Sequence, residues 1–119
     1  MMQPVILHNP RCSKSRETLE LLTAKGFVPQ VIEYLKEPPG EDFLKDIVSK
    51  LKMRPREIVR SKEPIFGTLN LNLEDDLATI KALVRHPVLL ERPIVIFGSN
   101  AAIGRPPEHV LSILPSHTK

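Results

Sequence analysis

Residues Val5-Ile6-Leu7-His8-Asn9-Pro10-Arg11-Cys12-Ser13-Lys14-Ser15-Arg16 join an apolar run to a helical pattern and hold the one cysteine of the chain. Val5-Ile6-Leu7 reads as a short buried strand, because successive positions are apolar and the run ends at Asn9-Pro10, a turn signal. The spacing predicts a helix over 13–25, closed by Gly26, where a helix commonly ends in a left-handed residue. Cys12 therefore falls at or just before a helix N-terminus, where N–H groups and the helix dipole favour a thiolate over a thiol. Arg11, Lys14 and Arg16 add positive charge to the same turn, so Cys12 is expected to be a nucleophile. The same polar neighbours argue against its burial as a small hydrophobe.

Working outward, Phe27-Val28-Pro29 leads into a second strand, Val31-Ile32-Glu33-Tyr34-Leu35, which the breaker Glu37-Pro38-Pro39-Gly40 ends. Strand, helix and strand with short connections make a βαβ unit with parallel strands and a right-handed crossover. The loop after its first strand opens at the carboxyl end of the sheet, where ligands tend to bind. Cys12 lies on that loop.

The middle of the chain is helical in pattern. Phe43, Leu44, Ile47, Val48 and Leu51 share one face of an amphipathic helix. Pro55 can open a short second helix through Ser61, carrying Arg60. Residues 62–72 are irregular, with Pro64 and Gly67 as breakers, and a further helix is expected over 74–85 with Leu77, Ile80, Leu83 and Val84 on its apolar side. One more helical turn is expected at Val88-Leu89-Leu90. Strand patterning then returns at Pro93-Ile94-Val95-Ile96-Phe97, with a turn at Gly98-Ser99-Asn100 and a second run, Ala101-Ala102-Ile103-Gly104, which together predict an antiparallel hairpin. Pro106-Pro107 is expected to open a terminal helix carrying Val110, Leu111, Ile113 and Leu114, followed by a frayed tail from Pro115.

The 119 residues suit one domain, read as a core of about 4–36 and 92–115 with a helical insertion of about 40–91. A net charge of +3 without a basic tract or an aromatic stacking set gives no support to nucleic-acid binding. No apolar run approaches the roughly 20 residues that span a bilayer, and the N-terminus lacks a cationic start before a long apolar core. A cytoplasmic protein with no membrane partner is expected. One cysteine and four scattered histidines (His8, His86, His109, His117) lead to no expectation of a structural metal or a bound cofactor.

The element order β-α-β, helices, β-β-α predicts an α/β fold of thioredoxin/glutaredoxin-like type: a mixed four-strand sheet with a reactive cysteine after the first strand. A CxxC motif there would be a dithiol redox site, but Ser15 stands in the second position. An oxidised or substrate-bound Cys12 must then be released by an outside thiol, through a mixed disulfide. Phosphatase chemistry is disfavoured, because the sixth residue after Cys12 is Thr18 rather than an arginine.

The run His8 to Leu19, with Tyr34-Leu35-Lys36-Glu37-Pro38-Pro39, Glu91-Arg92-Pro93-Ile94-Val95 and Gly104-Arg105-Pro106-Pro107-Glu108, resembles the signature of the ArsC family, the glutaredoxin-coupled arsenate reductases. The resemblance covers nearly the whole chain in order. It implies a thioredoxin-like core with a helical insertion, Cys12 as the nucleophile that attacks arsenate or a related oxyanion, and His8 as a neighbour that helps set its ionisation. It further implies that Arg60, Arg92 and Arg105 bind the oxyanion, that Arg92-Pro93 is a cis peptide, and that glutathione and glutaredoxin serve as reductant and partner. Arginine suits that task, since its planar guanidinium stays charged and holds two oxygens at once. Read from position alone, Arg60 is a solvated residue beside Arg54 and Arg56, whereas Arg92 and Arg105 stand at loop positions that often carry function. Two alternatives remain: an Spx-like regulator that binds RNA polymerase, whose CxxC switch Ser15 interrupts, and a glutathione-dependent thiol reductase without an oxyanion site.

Overall fold

The structure, a computed structural model, describes residues 3–115. It divides into two compact units, Met1–Tyr34 with Arg92–Lys119, and Leu35–Glu91.

The first unit is built on a four-stranded sheet. Strand β1 spans Val5–His8, helix α1 Ser13–Ala24, strand β2 Gln30–Glu33, strand β3 Ile94–Phe97 and strand β4 Asn100–Ile103. The order is β2-β1-β3-β4; β1 is parallel to β2 and antiparallel to β3, and β3 is antiparallel to β4. This mixed α/β sheet is the thioredoxin-like arrangement expected from the sequence. The register places Ile6 between Val31 and Val95, and Val95 beside Ala102, so one face of the sheet is a continuous apolar row. Ile6 and Val95 bury with Leu22 of α1, Phe27 and Val110, and Leu19, Leu21, Phe97, Ile113 and Leu114 pack against them. Phe27 and Phe97 meet edge to face with centroids 6.2 Å apart. Gly26, at φ 91°, makes the left-handed exit from α1.

Three expectations for this unit change. Strand β2 begins at Gln30, whose N–H donates to Pro4 O at 2.8 Å, and ends before Tyr34 and Leu35, which form a turn. The hairpin turn is the two residues Gly98 and Ser99, with Asn100 already paired to Phe97 and Gly98 at φ 62°. The terminal helix is a 3-10 helix over Pro107–Ile113. Three residues per turn keep Val110 and Ile113 on one edge, facing the core. The expected frayed tail beyond Pro115 lies outside the described residues.

The second unit contains helix α2 (Glu41–Leu51), helix α3 (Asp76–Arg85) and 3-10 turns at Pro55–Ile58, Pro64–Thr68 and Pro87–Leu89. Leu44, Ile47, Val48 and Leu51 of α2, and Ile80, Ala82 and Leu83 of α3, are buried with Ile58, Leu89 and Leu90. The expected helix through Ser61 stops at Ile58, because Val59 enters a bridge with Leu90, Arg60 N–H donates to Leu89 O at 2.7 Å and Glu91 N–H donates to Ile58 O at 2.8 Å. Pro64 starts a turn instead of only breaking one. Helix α3 begins late because Asp75 caps it, accepting from Ala78 N–H at 3.0 Å. The expected apolar Leu77 is 46% exposed, and the buried face runs through Thr79, Ile80, Ala82 and Leu83.

Leu22 is fully buried beneath the sheet. Leu22→Ala is expected to cost about 2–5 kcal/mol, read as a fall in the denaturant midpoint; the exposed Val28→Ala should fall within about 0.5 kcal/mol of the parent.

Candidate functional site

The chain leaves β1 at His8 and reaches α1 within four residues. Asn9 and Pro10 make this possible: Cys12 N–H donates to Asn9 O at 3.0 Å, closing a four-residue turn with proline at its second position, and Arg11 N–H donates to Asn9 Oδ1 at 3.0 Å. Cys12 becomes the N-cap residue of α1, with φ −97° and ψ 123°. Its carbonyl accepts the first helical bond, from Arg16 N–H at 3.0 Å, while its side chain makes no capping bond. The N–H groups of Ser13, Lys14 and Ser15 precede that bond and lie at the positive end of the helix, whose first turn holds no acidic residue.

Cys12 is 8% exposed, contrary to the expectation that its polar neighbours keep it open. Beside it, Arg105 Nη2 stands 3.6 Å from Cys12 Sγ. The guanidinium is fixed at its other edge, where Nε donates to Arg92 O at 2.8 Å. Arg92–Pro93 and Arg105–Pro106 are both cis peptides, the second without a signal in the sequence. Arg92 Nε and Nη1 are themselves buried.

His8 is 6% exposed, and its Nδ1 lies 2.6 Å from the Oγ of Ser15, which is fully buried. Ser15 Oγ also accepts from Asn9 N–H at 3.0 Å. The set is satisfied when the hydroxyl donates to Nδ1, which puts the ring proton of His8 on Nε2. Burial lowers the His8 pKa below its ordinary 6.5; Glu33 opposes the shift and Arg16 adds to it. His8 is thus joined to the turn through Ser15. In the sequence Ser15 stands out only as a missing thiol. Its signal was the polar residue one turn inside a helix that starts beside a histidine.

Arg60 belongs to the other unit. It pairs with Glu63, and its Nε lies 3.9 Å from Glu91 Oε1. Its two neighbours in the basic cluster are committed as well, Arg54 to Glu74 and Asp76, and Arg56 to Glu74. Among the described residues, no three His, Cys, Asp or Glu side chains gather to hold a metal ion, and no helix is long and apolar enough to cross a membrane.

A family model described as ArsC family matches residues 7–113. The chain is 48% identical over 116 residues to the uncharacterized protein YfgD of Escherichia coli (strain K12), covering 94% of this chain and 97% of that one. It is 47% identical over 116 residues to the arsenate reductase of Haemophilus influenzae, covering 95% of this chain and 100% of that one. Among solved structures, the arsenate reductase from Vibrio cholerae superposes with a TM-score of 0.89 at 47% identity, covering 95% of this chain and 98% of that one.

Two outcomes are expected of this geometry. Because the folded state holds His8 with a lowered pKa, unfolding takes up a proton as pH falls below about 6.5, so stability present above that value is lost on the way down through the folded pKa. Melting temperatures of the parent and His8→Asn from about pH 7.5 to pH 5 should show a shallower acid-side decline in the variant. Secondly, Arg105 beside the sulfur should favour anionic over neutral reagents. Arg105→Gln should lower the ratio of iodoacetate to iodoacetamide alkylation rates at Cys12 by roughly fivefold or more.

Proposed function

The chain belongs to the ArsC family, and on that premise we propose that it is a glutathione- and glutaredoxin-dependent arsenate reductase. The observation that carries the reading is the contact of Arg105 with Cys12, a fixed cation 3.6 Å from a cysteine sulfur at a helix N-terminus. A nucleophile and an anion cradle are then one structure.

In the proposed reaction Cys12 Sγ attacks arsenic, forming an S–As bond as one arsenate oxygen leaves as water. The guanidinium of Arg105 and the N–H groups at the start of α1 offset the negative charge that gathers there, and Arg92 is given the same task on the family resemblance. Glutathione thiolate next attacks Cys12 Sγ. The S–As bonding pair stays with arsenic, taking As(V) to As(III), and the two sulfurs are left as a mixed disulfide. Glutaredoxin attacks the glutathione sulfur and frees Cys12. Ser15 supports this division of labour, because a fully buried hydroxyl occupies the position from which an internal thiol would resolve the adduct.

His8 is assigned to orient the turn that carries Cys12, acting through Ser15. Arg60 is included as a third oxyanion ligand on the family resemblance alone. No bound cofactor is required, since glutathione supplies the electrons. The reading places the protein in the cytoplasm, where thiols are kept reduced.

The test is arsenate reduction followed by NADPH oxidation through glutathione, glutaredoxin and glutathione reductase. Cys12→Ser is expected to lose activity by at least about 10³-fold, and Arg105→Gln to raise KM for arsenate and lower kcat/KM by roughly 10²-fold. Mass spectrometry of the arsenate-treated enzyme with glutathione but without glutaredoxin should show a single glutathione on Cys12. Turnover that persists in Cys12→Ser would remove the proposal.

A further inference from the structure

We propose that Gly104 is a positioning residue, whose missing side chain lets residues 104–105 pack against Thr18 and so sets how closely the Arg105 guanidinium approaches Cys12. This rests on the reading of Arg105 as the cation that serves the cysteine. Gly104 and Thr18 are both buried, the first directly after β4 and the second on α1, six residues after Cys12. A Cβ placed on Gly104 would stand 2.5 Å from Thr18 Oγ1, 2.8 Å from Pro93 Cγ and 3.1 Å from Thr18 Cγ2.

Thr18, the nearest of these neighbours, does not give way easily. Thr18 is a short, β-branched side chain whose Oγ1 donates to Lys14 O at 2.8 Å, and Pro93 is a ring at the start of β3. Non-bonded carbon contacts are comfortable only at about 3.5–4.0 Å, so a methyl group at position 104 must push the backbone of residues 104–105 away from α1. That backbone is docked on its other side: Gly104 N–H donates to Pro93 O at 2.9 Å, and Arg105 Nε donates to Arg92 O at 2.8 Å. Residues 104 and 105 thus sit on residues 93 and 92, with Thr18 as the opposing wall. A side chain at position 104 would meet that wall, so its absence keeps the gap that Arg105 spans to reach Sγ. Misplacement by about 1 Å is enough to cost 10²-fold in a preorganised site. The position six residues after Cys12, where a phosphatase loop would need arginine, is here used for packing, and the arginine is delivered from β4 instead.

The experiment measures alkylation of Cys12 by iodoacetate, an anion, against iodoacetamide, its neutral analogue, in the parent, Arg105→Gln, Gly104→Ala, Thr18→Ala and the Gly104→Ala/Thr18→Ala pair. Arsenate turnover is not needed, so a protein that reduces some other substrate still gives an answer. Gly104→Ala is expected to reduce the iodoacetate preference to within about twofold of Arg105→Gln. Thr18→Ala alone is expected to leave the preference near that of the parent. The pair should recover most of the lost preference, because removing Thr18 Oγ1 and Cγ2 opens the wall and a change of ring pucker withdraws Pro93 Cγ.

A loss that came only from general destabilisation would not be reversed by a second truncation in the core. Should Gly104→Ala give no folded protein, the pair decides alone: folded with the parent's preference, it supports the proposal. The proposal is overturned if folded Gly104→Ala keeps the parent's preference, if the pair does not recover it, or if Arg105→Gln leaves the preference unchanged.

Discussion

The site depends on a turn of four residues, in which Asn9 O holds Cys12 N–H and the chain passes from the central strand of a sheet into a helix. β1 is paired on both sides, to β2 and β3, so its end is fixed in position and direction. A turn this short transmits that rigidity to the first residue of α1. The consequence is chemical, since Cys12 is the cap residue and its sulfur shares the end of the helix with N–H groups that precede the first helical bond. Ser15 reinforces the turn from inside the helix by accepting from Asn9 N–H and meeting the His8 ring, so strand end, turn and helix start are bound by three short bonds.

Much of the fold was legible in the sequence because local and tertiary preferences agree there. Val5-Ile6-Leu7 and Ile94-Val95-Ile96 are apolar at every position because each lies in an interior strand, β1 and β3, and α2 has four buried residues at helical spacing. The failures fall where two local preferences compete. Val59 had the spacing to continue a helix, but its backbone is used in a bridge to Leu90. Leu77 looked like core and is exposed, because it lies in the first turn of α3, right after the Asp75 cap and ahead of the buried run from Thr79 to Leu83. A 3-10 helix at Pro107–Ile113 cannot be told from an α-helix over seven residues by apolar periodicity alone.

The site was legible in part, and the division has a physical reason. Cys12 could be found from its neighbours in the sequence, since a helix start and its charges are local. Its partner Arg105 is 93 residues away and comes from the far edge of the sheet through the β3–β4 hairpin, so no spacing rule reaches it. The resemblance supplied that residue. What neither spacing nor resemblance suggested was the burial of Cys12, because the packing around a loop residue is set by distant parts of the chain and is invisible in composition. The signal for Gly104 was equally faint: a lone glycine after an apolar run reads as a strand end, and only the closeness of Thr18 and Pro93 shows that a side chain is excluded.

Bringing an oxyanion to a thiolate sets two like charges against each other, and two kinds of positive group answer that problem differently. The helix end is permanent but weak, about half a charge spread over several N–H groups. A guanidinium is a full charge, but on a flexible stem it would lose conformational freedom each time it was used. Fixing Arg105 Nε on Arg92 O removes that cost before substrate arrives and leaves the Nη2 edge directed at the sulfur. In the helical unit Arg54, Arg56 and Arg60 are each matched to carboxylates. A charge already neutralised contributes little to an incoming anion unless its partner is displaced. Within the sheet unit the Arg92 carbonyl holds Arg105 Nε, which fixes the geometry of the guanidinium beside the sulfur.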